Sequence, residues 1–190
     1  VPGFEVPEQP LEREAQLTRE TDTKSSWARK DVSFKVKGIA LSAWLYLPED
    51  LSAPVPCIIM GHGFGGTKDM GLESYAIRYR DAGFAVLIFD YRHFGASGGE
   101  PRQLIWIPNQ LEDWSAAIAY ARGLKEIDPA KIALWGTSMG GGHVIVTAAK
   151  DNQIACVVAQ CPGLDGHASA EMFLKRVGIG YALRMMMHGQ

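Results

Sequence analysis

The sequence lacks the features of several broad classes of protein. It contains no run of about 18 apolar residues, so we expect no membrane-spanning helix. Its three cysteines are too few, and odd in number, for a disulfide framework, which favours the reducing cytoplasm. The net charge of −2 and the lack of basic clusters interleaved with aromatic residues argue against nucleic acid or a membrane surface as partner. A cytoplasmic protein that acts on a small molecule is the expectation that remains.

Metal-ligand and cysteine patterns are also missing. None of the five histidines has another histidine, a cysteine or a carboxylate at a spacing typical of metal ligands, so we expect no metal site. Each histidine is more simply interpreted as structural or surface-exposed; they are His62, His93, His143, His167 and His188. Cys57 and Cys156 lie within apolar runs, where cysteine usually behaves as a small hydrophobe, and Cys161 ends such a run.

Apolar and amphipathic segments alternate along most of the chain. Polar and apolar residues alternate on both sides of Gly38, which predicts an antiparallel hairpin over 31–47. Continuous apolar runs predict buried parallel strands at 57–60 and at 84–89, and further apolar strands lie directly before Ser138 and at 154–160. Amphipathic patterns predict helices at about 70–81, 108–124 and 139–150, and helical structure from 168 onward. This order predicts an α/β fold with a mostly parallel sheet, helices on both faces and an N-terminal antiparallel hairpin.

Composition divides the chain into three parts. Residues 1–26 are rich in Pro, Glu and Thr, which predicts an arm without its own core. Residues 27–163 hold the predicted strands and form the core of the domain. Residues 164–190 are helical in pattern and rich in methionine, which suits the start of a helical lid over an apolar pocket and an ordinary core or interface equally well.

A Gly-x-Ser-x-Gly motif follows one of the predicted strands. Gly136-Thr-Ser138-Met139-Gly140 joins an apolar strand directly to a helix, with no loop between them. Such a junction forces a tight turn that raises one serine hydroxyl above the sheet edge. The glycines are needed because side chains in the neighbouring turns would clash. The motif therefore predicts Ser138 to be a catalytic nucleophile, rather than a helix N-cap.

A second match to the same motif lies in a loop. Gly95-Ala-Ser97-Gly-Gly99 has no strand leading into it, and Pro101 follows soon after. Because the strand–turn–helix context is missing, Ser97 is the weaker candidate.

The glycine-rich segment after the first buried strand has two interpretations. Gly61 to Gly66 fits the G-x-G-x-x-G pattern of a dinucleotide site, with Asp90 ending the next strand. Against that interpretation, the helix should open within the glycines, whereas Gly65-Gly66-Thr67-Lys68-Asp69 intervene here before the predicted helix. The other interpretation is an oxyanion hole, in which the backbone N–H groups of Phe64 and Met139 stabilise negative charge on a substrate carbonyl.

Together these segments resemble the α/β-hydrolase superfamily, over Val32 to about Gly163. The sequences of these loops are most similar to those of dienelactone-hydrolase-like and X-Pro-peptidase-like members, and especially to those of the fungal polyketide transferases and thiohydrolases. The resemblance implies a Ser-His-Asp mechanism with an acyl-enzyme, no cofactor, and polyketide-type esters or thioesters as substrates in secondary metabolism. An acyl carrier protein or a polyketide synthase is then an expected partner.

The chain departs from this family at its C-terminus. The family's sheet continues with two further strands that precede the catalytic acid and histidine, and this sequence ends before either. Asp165, with His167 or His188, could imitate the triad order, but we expect a chain that is cut short instead. The strand at 154–160 would then be an exposed edge, covered by the missing C-terminal part or by another copy in a homo-oligomer.

Three functions follow from these patterns. The first is a serine hydrolase or acyltransferase, whose base and acid come from outside this sequence. The second is a non-catalytic module that keeps the fold and binds an apolar ligand. The third is a nucleotide-binding oxidoreductase, which depends on the G-x-G-x-x-G interpretation.

Overall fold

A computed structural model describes residues 29–181 and residue 184. The arm predicted for residues 1–26 lies outside this part of the chain. Within it the strands are β1 (Arg29–Val36), β2 (Ile39–Tyr46), β3 (Val55–Gly61), β4 (Ala85–Phe89), β5 (Ile127–Thr137) and β6 (Ile154–Gln160). The helices are α1 (Glu73–Asp81), α2 (Ile107–Arg122), α3 (Met139–Lys150) and α4 (Gly166–Val177).

The strands form one sheet in the order β1-β2-β4-β3-β5-β6. β1, β2 and β4 pair antiparallel, whereas β3 pairs parallel with both β4 and β5, and β5 with β6. The hairpin turns at Lys37 and Gly38, whose φ angles of 49° and 86° suit the tight turns that match strand twist. The predicted α/β class, parallel sheet and antiparallel hairpin are confirmed.

Two predicted boundaries shift for local reasons. α1 begins at Glu73 rather than near Met70, because Gly71 takes a φ of 82° that ends any helical path. β5 begins at Ile127, before Pro129, and its register against β3 shifts between Val55 and Cys57. Such an irregularity tolerates a proline that cannot donate a ladder hydrogen bond.

The core lies on both faces of the sheet. Beneath α2 and α3, the larger cluster includes Leu41, Ile59, Leu87, Phe89, Trp114 and Leu134. Beneath α1, a smaller cluster includes Tyr46, Met60, Ile88, Ala76 and Trp135. Because the parallel strands are buried on both faces, they read as continuous apolar runs.

The sheet is open at β6. Val158 on this strand is 44% exposed, and Cys156 is also exposed. These residues pair with Trp135 and Ala133 of β5, on the face beneath α1, and no described residue covers them. β6 is thus the exposed edge that was predicted at 154–160, and Cys156 is exposed on it, whereas Cys57 is buried in β3. α4, which follows β6, has no buried residue.

Within the described part of the chain, no helix has the length and apolar character to cross a membrane.

Candidate functional site

Ser138 lies between the last residue of β5 and the first residue of α3. Its backbone has φ 53° and ψ −120°, a region that residues with a Cβ rarely occupy. The residue is exposed, so the turn presents its side chain at the carboxyl edge of the sheet. Strain of this kind persists only where the surroundings hold it, and it concentrates at functional sites.

Close backbone packing holds this turn. A Cβ at Gly136 would lie 2.2 Å from the carbonyl oxygen of Gly140, and one at Gly140 would lie 2.4 Å from that of His62. A Cβ at Gly142 would lie 2.3 Å from the carbonyl oxygen of Gly163. The glycines of the motif are therefore required for space, as the sequence predicted.

The segment after β6 supports the turn from the other side. The Ser138 N–H donates to the carbonyl of Gln160 at 2.9 Å, and the Gly163 N–H donates to the carbonyl of Ser138 at 2.7 Å. Both backbone groups of Ser138 are therefore engaged. Among the described residues no hydrogen bond of the Ser138 hydroxyl is found, so Oγ is free to meet a substrate.

The loop that follows β3, residues 62–68, passes beside Ser138. A Cβ at Gly63 would lie 2.9 Å from the Ser138 Cβ and 3.5 Å from its Oγ. The next side chain, Phe64, is 74% exposed, and its N–H has no partner among the described residues. The Met139 N–H belongs to the first turn of α3, where backbone donors lack helical partners and the dipole is positive. The two predicted donors thus lie on the segments that flank Ser138, and their oxyanion role stays a prediction.

The same loop does not have the form of a dinucleotide site. In that site the helix opens within the glycines, so that its N-terminus meets the pyrophosphate. Here α1 begins only at Glu73, after Thr67, Lys68 and a further turn. This separation removes the structural basis of the oxidoreductase interpretation.

A buried ion pair joins the 62–68 loop to the loop that follows β4. The Asp90 carboxylate, 1% exposed, accepts a hydrogen bond from the Lys68 ammonium at 2.6 Å and from the Lys68 N–H at 2.7 Å. Asp90 ends a predicted strand, but no sequence motif indicates its pairing with Lys68. The carboxyl ends of β3 and β4 lie side by side because these strands are parallel neighbours. The pairing could have been expected from the rule that loops after neighbouring parallel strands meet at one edge of the sheet.

Two neutral histidines lie beneath the turn. Burial lowers the pKa of His62, and burial together with nearby His62 lowers that of His143 to about 4. His62 Nδ1 lies 3.0 Å from the carbonyl of Gly63, and His143 Nε2 lies 2.8 Å from Gln110 Oε1. Both rings are fixed in the interior, so the expectation that they are structural fits their surroundings.

Ser97, in the second motif, is buried and fully hydrogen-bonded. It is 3% exposed; its hydroxyl donates to the carbonyl of Asp90 at 2.7 Å and accepts the Ser42 N–H at 2.8 Å. A hydroxyl held in this way ties β2 to the loop after β4 and is not available for attack.

Among the described residues, neither Asp165 nor His167 forms a hydrogen bond with Ser138. The Asp165 carboxylate accepts the Ala168 N–H at 2.9 Å and caps α4, which is the usual role of an aspartate at that position. His188 lies outside the described residues. Within residues 29–181, no group of three potential metal ligands occurs.

Comparison with known proteins places this geometry in a family. A family profile described as X-Pro dipeptidyl-peptidase (S15 family) matches residues 37–177. The chain is 54% identical over 140 residues to the quorum-quenching protein AidA of Acinetobacter baumannii, covering 74% of this chain and 46% of that protein. It is 35% identical over 137 residues to the thiohydrolase aneE of Aspergillus aculeatus, covering 72% and 42%.

A solved structure has the same fold. The α/β-hydrolase GrgF from a Penicillium species superimposes with a TM-score of 0.69 at 30% identity, covering 85% of this chain and 56% of that one. The chain spans about half the length of the curated relatives it matches. By the extent of the profile match and the shared fold, the chain belongs to the S15-type group of the α/β-hydrolase family, alongside fungal polyketide transferases and thiohydrolases.

Proposed function

We propose that this protein is a serine hydrolase or acyltransferase that forms an acyl-enzyme on Ser138. The observation that carries the proposal is the strained, exposed Ser138, with the backbone of Gly63 in contact beside it. A serine in this turn, next to free backbone donors, is the arrangement that acyl transfer requires. Hydrolase and transferase relatives support the same class of reaction.

The reaction proceeds in two steps. Ser138 Oγ attacks the carbonyl carbon of an ester or thioester, its proton passes to a general base, and the N–H groups of Phe64 and Met139 hold the resulting oxyanion. When the tetrahedral intermediate collapses, the carbon–oxygen or carbon–sulfur bond breaks and the base returns the proton to the leaving group. Water or an acceptor alcohol then attacks the acyl-enzyme, which decides between hydrolysis and transfer.

The general base and the acid that orients it come from outside the described residues. No histidine among residues 29–181 is hydrogen-bonded to Ser138, and the nearest buried ones are already fixed. The open edge of β6 and the exposed α4 provide the surface on which further chain would complete the site. The apolar side chains of this helical region, which include Met172 and Phe173, would form the beginning of a lid over the acyl group.

Two substrate classes follow from the relatives. A polyketide-type acyl thioester, delivered by an acyl carrier protein or a polyketide synthase, fits the thiohydrolase and polyketide transferase relatives at 33–35% identity. A quorum-sensing signal that carries an acyl carbonyl fits the quorum-quenching relative, which is more similar at 54%. Both need the same nucleophile and oxyanion donors, so the difference lies in the lid.

A fluorophosphonate probe tests the proposal directly. Such probes react with activated serines, so we expect covalent labelling of the native protein that Ser138→Ala abolishes and Ser97→Ala preserves. Failure of the native protein to label at Ser138 would remove the catalytic assignment.

The competing function is a module that binds an apolar ligand without catalysis. It is favoured by the lack of a base beside Ser138 in the described residues. Turnover of a p-nitrophenyl ester by the 190-residue chain, lost in Ser138→Ala, would rule this function out.

A further inference from the structure

The 62–68 loop is held at its two ends and has few contacts between them. At the first end, the His62 carbonyl packs against Gly140 and accepts the Tyr91 hydroxyl at 3.4 Å. At the other end, Lys68 is buried. Between them lie Gly63, Phe64, Gly65 and Gly66, whose one internal hydrogen bond runs from the Gly66 N–H to the Gly63 carbonyl at 3.4 Å. Because the Phe64 side chain points into solvent, the ends must determine where its N–H lies.

The Lys68 end is fixed through one carboxylate. Asp90 accepts the Lys68 N–H at 2.7 Å and the Lys68 ammonium at 2.6 Å, and its second oxygen also accepts the Ala96 N–H at 2.9 Å. A Cβ at Gly95 would lie 2.2 Å from that oxygen, so the loop after β4 closes tightly over it. Asp90 thereby joins two loops at the carboxyl edge of neighbouring strands.

The ammonium of Lys68 is immobilised from a second direction. It lies 5.1 Å from the ring centroid of Trp44, a distance at which the face of an indole attracts a cation. The lysine side chain is 7% exposed. The enclosed Lys68 side chain is therefore held in one position, unlike a mobile lysine on the surface.

Stability alone is a weak explanation for this pair. Replacing a buried ion pair with apolar groups of similar size is often neutral or stabilising, because desolvation offsets most of the attraction. An apolar pair could not reproduce the geometry. Two hydrogen bonds from Lys68 to Asp90 fix the end of the 62–68 loop, and the hydrogen bond from the Ala96 N–H fixes the Asp90 carboxylate in turn. Preorganised donors are effective in catalysis because they need no rearrangement as charge develops.

We propose that Lys68 and Asp90 are positioning residues that hold the Phe64 N–H in place for the oxyanion formed at Ser138. Neither residue touches the reacting atoms. The inference rests on the proposed acyl transfer and adds a determinant of its rate. It predicts that loss of the pair slows the chemical step and leaves substrate binding unchanged.

A second buried pair in the same region supplies a matched control. Arg92 Nε donates to Asp113 at 2.7 Å, and the Arg92 N–H donates to the same carboxylate at 3.0 Å. Both side chains are almost fully buried. This pair ties the start of the loop after β4 to α2 and makes no hydrogen bond with residues 62–68. Its loss should cost comparable stability without moving the Phe64 N–H.

The experiment compares Asp90→Asn, Lys68→Met and the control Asp113→Asn in the native protein, with a p-nitrophenyl ester as substrate. We expect kcat to fall about 10- to 100-fold in the first two variants, with KM within about two-fold. Affinity for an alkyl trifluoromethyl ketone, whose serine adduct carries the oxyanion, should fall in parallel. In Asp113→Asn the melting temperature falls while kcat stays within about two-fold of the unsubstituted protein.

A double variant separates positioning from charge balance and covers the case in which a single variant fails to fold. Lys68→Met with Asp90→Asn leaves no unpaired buried charge, so its melting temperature should recover while its kcat remains low. Recovery of kcat together with stability would overturn the proposal, as would equal losses of kcat in Asp113→Asn. If the unsubstituted protein shows no turnover that depends on Ser138, the proposed function fails and this inference fails with it. Normal turnover in folded Asp90→Asn and Lys68→Met overturns the positioning role alone.

Discussion

The chain contains the Gly-x-Ser-x-Gly motif twice, and the two copies differ in which residue carries the unusual backbone. At Gly95-Ala-Ser97-Gly-Gly99 the positive φ angles fall on the outer glycines, at 51° and 112°. At Gly136-Thr-Ser138-Met-Gly140 the positive φ falls on the serine, at 53°. The first serine is buried and fully hydrogen-bonded, whereas the second is exposed.

The difference teaches that the positive φ angle is carried by different residues in the two copies. Around Ser97 the outer glycines carry it, and they also supply space, because a Cβ at Gly95 would lie 2.2 Å from the Asp90 carboxylate; the serine itself is unstrained and holds loops together. Around Ser138 the glycines supply only space, because neighbouring backbone carbonyls lie where a Cβ would be, and the serine carries the positive φ. A strained serine in a crowded turn is costly to fold, which is why we assign catalysis to Ser138.

The largest stability effect should come from removing that space. In Gly136→Ala the new Cβ would lie 2.2 Å from the carbonyl oxygen of Gly140, and backbone cannot yield as a flexible side chain does. We expect a loss of about 3 kcal/mol or more in the free energy of unfolding, measured by urea denaturation. Gly98→Ala is the control at an uncrowded glycine, since its Cβ would meet atoms no closer than 3.4 Å. Equal losses in the two variants would show that crowding is not the cause of the loss at Gly136.

The interior beneath Ser138 should respond to pH. His143 has a pKa of about 4 in the folded protein, below the value near 6.5 of an exposed histidine. As the pH falls, the unfolded chain therefore binds a proton at this histidine before the folded protein does. The contribution of neutral His143 to the free energy of unfolding is complete above about pH 6.5 and is lost as the pH falls towards about 4. The full loss amounts to about 3 kcal/mol. His143→Gln should flatten the dependence of the melting temperature on pH over this interval; an unchanged slope would show that His143 is not its source.

The hydroxyl of Ser97 should matter for stability. Ser97→Ala leaves the Ser42 N–H without its acceptor and the Asp90 carbonyl without its donor. We expect a loss of about 1–3 kcal/mol in the free energy of unfolding. Turnover per folded molecule should stay near that of the unsubstituted protein. A larger defect in turnover than in stability would give Ser97 a catalytic part.

The smallest effect has the opposite sign. Ser138→Gly removes the Cβ from a residue with φ 53°, so the strain is relieved and the free energy of unfolding should rise by about 1 kcal/mol. Ser138→Ala keeps a Cβ and should leave stability nearly unchanged. Thermal unfolding of the two variants measures the difference. A melting temperature of Ser138→Gly no higher than that of Ser138→Ala would contradict the assignment of backbone strain to Ser138.

The sequence predicted the helix and strand near Ser138 well, but it did not predict the contacts between loops. The predicted ranges 139–150 and 154–160 match α3 and β6 as found, since the motif marks the start of the helix and an apolar run marks the strand. The apolar pattern of 154–160 does not by itself distinguish an edge strand from a buried one. The expectation of an exposed edge there came from the resemblance to a family whose sheet continues, and Cys156 is exposed on that edge. The pairing of Lys68 with Asp90 depends on β3 and β4 being adjacent, which is a property of strand order.

The central claim is that Ser138 becomes acylated, and a quenched reaction measures it most directly. The native protein is mixed with p-nitrophenyl butanoate, stopped with acid, digested with trypsin and analysed by mass spectrometry. Cleavage separates the two serines, because Ser138 lies in Ile132–Lys150 and Ser97 in His93–Arg102. We predict a butanoyl adduct on Ser138 that forms with the release of p-nitrophenol. Release of p-nitrophenol without an adduct on Ser138, or with one on Ser97, would contradict the account.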